Sequence, residues 1–72
     1  MDTATTTAQL TARANHHSTV AMDTWKLGAI TATTFREVSE GCLAATKALR
    51  DGDTEEAERL LDEAAALLDY LA

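Results

Sequence analysis

Proline is absent from this chain and glycine occurs only three times in 72 residues, so little in the composition interrupts a helix. One cysteine, Cys42, excludes an internal disulfide. Aromatic residues are as scarce, one each of Trp, Tyr and Phe, which leaves mainly Ala and Leu to build a core. No apolar run approaches the ~20 residues that a membrane-spanning helix needs. The opening segment "MDTATTTAQLTARANHH" has neither the charged start nor the apolar stretch of a secretory signal, and a cytoplasmic protein is expected. A core this small rarely supplies more than ~3–5 kcal/mol without disulfides, metal or oligomerisation, which makes self-association the expected remedy.

The formal charge of -6 is unevenly placed. Residues 1 to 50 set the four acids Asp2, Asp23, Glu37 and Glu40 against the five bases Arg13, Lys26, Arg36, Lys47 and Arg50, a net +1. From residue 51 onward eight acids face Arg59 alone, a net -7. An acidic half argues against direct binding to nucleic acid or to an anionic membrane, both of which need clustered Lys and Arg. It admits a protein partner with a basic surface.

What is present reads as helix. Thr34, with Glu37 three residues on, forms a capping box, and Phe35, Val38, Cys42, Ala45 and Leu49 then recur at spacings of three and four. That helix is expected to run from about 34 to 51, with Lys47 and Arg50 favourably placed in its last turn and Gly52 in a left-handed terminus. Asp53 and Glu56 cap a second helix, expected over 54–71. Its apolar residues Ala57, Leu60, Leu61, Ala64, Leu67, Leu68 and Leu71 fill an arc of about 120°, wider than a two-helix seam requires. The excess predicts a bundle larger than one hairpin.

The N-terminal third is rich in Thr, a mediocre helix former. Residues 1–6 are expected to be disordered, and 7–72 to form a single helical domain. A capping box of Thr6 and Gln9 opens a helix carrying Leu10, Ala14, His17 and Ala21, continued by Met22, Trp25, Ala29 and Ala32 on a rotated face. One or two helices are expected before residue 32, packed by Trp25 and Ile30 on the hairpin. A competing reading makes "WKLGAITATT" a β-strand. The element order would then resemble a ribbon-helix-helix DNA-binding dimer, although the strand offers only Lys26 to grip DNA.

Within "GDTEEAERLLDEAAALL", Gly52, Asp53, Ala57, Leu61 and Ala64 stand where the second half of a tetratricopeptide repeat has its turn and its small and large packing residues. The segment resembles that motif over about 25 residues. Ala45 matches the small residue of the motif's first helix, whereas Gly41 replaces a usual large aromatic and Asp69 the closing proline. The resemblance implies the local geometry of a helical hairpin; one repeat cannot bury its own face, so no peptide-binding groove is carried over.

Residues with chemical potential are few. His16 and His17 are adjacent, which sets them about 100° apart on a helix and prevents the i, i+4 metal-binding arrangement. Cys42 sits within an apolar face, where a thiol behaves as a small hydrophobe. No catalytic residue, metal or cofactor is therefore expected. Glu55, Glu58, Asp62 and Asp69 fall within about 60° of one another and form an acidic ridge, either a solvated face or a docking face for a basic partner. Trp25 is either the packing centre or a binding hot spot.

The expectation is an all-α protein, a small helical bundle on a C-terminal antiparallel hairpin. It is read as a non-enzymatic interaction module, an adaptor or regulator, whose partner-binding candidates are Trp25, Glu55, Glu58, Asp62 and Asp69. Self-association, giving a homodimer, is expected through Leu60, Leu61, Leu67, Leu68 and Leu71. The alternative is an acidic inhibitor of the kind carried by phages and mobile elements, which occupies the basic groove of a nucleic-acid-binding protein.

Overall fold

A computed structural model describes residues 3–69, with side chains from 6 to 68. It contains three helices, α1 (Thr3–Lys26), α2 (Ala32–Arg50) and α3 (Thr54–Asp69), each packed against the other two. The bundle measures 39 × 16 × 16 Å. The 24 residues of α1 account for most of the long dimension, at about 1.5 Å per residue. No strand occurs among the described residues. The segment read alternatively as a strand is instead the end of α1, the connection and the first turn of α2, so the ribbon-helix-helix order is excluded.

α1 is one continuous helix and begins at Thr3. Met1 and Asp2 lie outside the described residues. Threonine is accommodated because its hydroxyl donates back to the carbonyl four residues earlier, as in Thr11 to Thr7 at 2.9 Å, Thr19 to Asn15 at 2.9 Å and Thr24 to Val20 at 2.7 Å. The helix stops at Gly28, whose φ of 77° admits two reverse hydrogen bonds, Gly28 N–H to Trp25 O at 3.0 Å and Ala29 N–H to Thr24 O at 2.8 Å.

The N-cap of α2 lies three residues before the expected one. Thr31 is extended, and its Oγ1 accepts from the Thr34 amide at 3.1 Å, so Thr34 lies inside the helix rather than at its N-cap. Ile30 and Phe35 then occupy the two positions of a hydrophobic staple: Ile30 is buried, and Phe35 packs on the same core. Burial of Ile30 favours the earlier start.

The turn between α2 and α3 repeats the geometry at Gly28. Gly52 has φ 82°, its N–H donates to Leu49 O at 3.1 Å, and the Asp53 N–H donates to Ala48 O at 2.8 Å. Asp53 Oδ1 accepts from the Glu56 amide at 3.1 Å, as its position predicts. The reciprocal half of that capping box is not made. Ala48 already takes the Asp53 amide, and the Glu56 carboxylate turns to Arg59.

The core is made from Leu10, Ala14 and Ala21 of α1, Ile30 of the connection, Val38, Cys42, Ala45 and Leu49 along α2, and Ala57, Leu61 and Ala64 of α3. Five of these are alanines, which lets the helix backbones approach closely. A Cβ placed on Gly41 of α2 would sit 3.8 Å from the Ala64 Cβ of α3. The α1 stripe closes the bundle, a role that its scarce large apolar residues concealed.

Candidate interaction surface

The N-terminal cover determines which expected interface residues remain accessible. Leu61 is fully buried in the chain's own core. Leu60, Leu67 and Leu68 are partly exposed and pack against that core, and Leu71 lies outside the described residues. Among the described residues of the stripe, a second copy could meet the three half-buried leucines.

Trp25 is not the packing centre. It lies at the end of α1, stacked on Phe35 of α2 with ring centroids 4.5 Å apart and planes 9° from parallel. One face covers Phe35, and 42% of the residue stays exposed. Met22 is exposed one turn earlier on α1 (38%), Leu27 in the connection (83%) and Leu43 on α2 (71%). Periodicity had placed Met22 on an inward face, and had given Leu27 and Leu43 no role. Leu43 was legible, because it falls nearly opposite Ala45 on the helical wheel.

On α2, Leu43 shares a stripe of about 60° with Arg36, Lys47 and Arg50, all exposed. These are three of the six cationic side chains in the sequence.

The acidic ridge forms on α3, where Glu55, Glu58 and Asp62 are exposed and border a shallow groove with Arg59, Glu63 and Ala66. The side chain of Asp69 lies outside the described residues. Two arginines temper the ridge. Asp62 Oδ1 accepts from Arg13 of α1 at 3.0 Å, which ties α1 to α3 across 49 positions of sequence. Arg59 donates to Glu56 and, at 2.6 Å, to Glu63. The hydrogen bond to Glu56, followed by that carboxylate's charge, raises the Arg59 pKa above its ordinary value.

His16 is exposed and His17 half-buried, with rings 5.9 Å apart. Among the described residues no group of three His, Cys, Asp or Glu side chains is placed to hold a metal ion. Cys42 is buried in the core. Among the same residues no helix is long and apolar enough to cross a membrane. Comparison with protein-family models, with curated proteins and with solved structures finds no match to this chain.

Proposed function

We propose that this chain, with α2 and α3 as an antiparallel hairpin, is a non-enzymatic protein-protein interaction module that works as an adaptor or regulator in the cytoplasm. The observation that supports this reading is the half-exposed Trp25, stacked on Phe35 and flanked by exposed Met22. A tryptophan with one open face is the kind of side chain that dominates binding energy at protein interfaces. Self-association belongs to the reading through Leu60, Leu67 and Leu68, the stripe members with exposed surface among the described residues. The test is capture from the native host with Trp25→Ala as control. A partner retained by the native chain and lost by this variant, with helical content unchanged, supports the reading; equal retention removes Trp25 from it.

The inhibitor reading is favoured by a different observation, the exposed carboxylates of Glu55, Glu58 and Asp62 along one face of α3. A basic partner held there should dissociate steeply as salt rises, whereas one held at Trp25 should respond weakly. Binding that resists salt and ignores Glu58→Gln eliminates the inhibitor.

A further inference from the structure

The large apolar residues with the most exposed surface among the described residues, Met22, Trp25, Leu27 and Leu43, lie on α1, α2 or the connection between them, and none lies on α3. Their placement follows from contacts to the neighbouring helices. On α1, Trp25 faces α2 through Phe35 while Arg13 faces α3 through Asp62. Met22 lies about 60° beyond Trp25, on the side away from Arg13. On α2, Phe35 faces α1 and Gly41 faces α3. Arg50, Leu43 and Arg36 lie about 60°, 80° and 100° beyond Phe35, on the side away from Gly41. Both sets therefore border the outer edge of the seam between α1 and α2.

From this arrangement we infer that the α1–α2 seam is a docking face for an acidic amphipathic helix of a partner protein, its large apolar residues seated on Met22, Trp25 and Leu43 and its carboxylates met by Arg36, Lys47 and Arg50. The inference deepens the interaction reading and rests on it. Charge complementarity selects the occupant. The three cations surround Leu43, and Glu40 lies about 20° outside their stripe, while α3 presents acid over its exposed face. An acidic ligand is repelled from α3 and attracted to the seam, so one charge pattern supplies both affinity and orientation. A second copy of this chain fits poorly. The exposed side of its α3 offers Glu55, Glu58 and Asp62 beside Ala66, with no large apolar residue to fill the apolar ground.

The single tryptophan makes the face report on itself. The probe is a synthetic, tryptophan-free amphipathic helix with leucines along one face and glutamates beside them. Its twin carries lysines in place of the glutamates. The acidic peptide should shift Trp25 emission saturably to shorter wavelength and bind about tenfold or more tighter than the lysine twin, with the preference shrinking as salt rises. Leu43→Glu should abolish binding, and Arg36→Glu with Arg50→Glu should reverse the preference. These side chains are exposed, so circular dichroism should confirm that the variants remain folded. Equal affinity for the twins, amide shifts confined to α3, or a Leu43-dependent homodimer in sedimentation would each overturn the assignment. A chain that captures its partner through Trp25 yet ignores the acidic helix defeats this inference alone, and one that binds neither defeats the interaction reading with it.

Discussion

Trp25 and Phe35 stack nearly parallel, centroids 4.5 Å apart, and join the last turn of α1 to the first turn of α2. Their burial is unequal, since Phe35 packs on the core while Trp25 covers it from outside. Phe35→Ala should cost about 2–3 kcal/mol and Trp25→Ala about 1 kcal/mol, the latter within the range of an aromatic pair. Urea denaturation gives both values. A Trp25→Ala variant as unstable as Phe35→Ala would place the indole in the core.

The start of α2 can be checked at one threonine and one glutamate. Thr31→Ala should cost about 1 kcal/mol, because the Thr34 amide loses its acceptor. Glu37→Ala should stay within about 0.5 kcal/mol, as expected for an exposed helix residue away from the cap. The opposite ranking would restore Thr34 as the N-cap. Asp53→Ala should also lower the melting temperature, by loss of the bond to the Glu56 amide.

The three glycines should separate by sign. Gly28 and Gly52 have φ of 77° and 82°, so alanine at either strains the backbone and should cost about 1 kcal/mol, although nothing lies within 4 Å of the new Cβ. Gly41 is helical, and its added Cβ would meet Ala64 and the Leu60 carbonyl at 3.8 and 3.9 Å, ordinary contact distances. Gly41→Ala should therefore stabilise the protein by about 0.5–1 kcal/mol, the usual gain from alanine in a helix. Destabilisation at Gly41 would mean that α2 and α3 lie closer than this.

Two leucines test which surface is internal. Leu61 is fully buried, and Leu61→Ala should cost about 3 kcal/mol, enough to leave so small a domain largely unfolded. Leu43→Ala, at a site 71% exposed, should change stability by less than about 0.5 kcal/mol. Calorimetry on both variants settles the ranking, and equal losses would show Leu43 covered in solution.

The two C-terminal helices were legible because their signals are local. A cap acts over three or four residues: Asp53 meets the Glu56 amide, and Gly52 closes α2 on Leu49. The apolar stripe of Val38, Cys42, Ala45 and Leu49 is buried as its spacing implies. The cap of α2 was misplaced because Thr31 and Thr34 have the same capping chemistry. Only burial of Ile30 distinguishes them.

By itself the sequence determined that this chain is helical, that Gly52 and Asp53 end one helix and begin another, and that acid gathers on the last of them. These properties depend on backbone preferences and on neighbours within one turn. The tertiary structure alone decided that α1 covers the leucine stripe, leaving Leu61 inside and Trp25, Met22 and Leu43 outside. Ala14 and Ala21 carry little hydrophobic signal, yet their small size permits the close packing that closes the core. Arg13 and Asp62 meet across 49 residues, a pairing that no local rule encodes. Which faces are covered depends on how all three helices share the interior, and so the accessible surface emerges only when they are packed together.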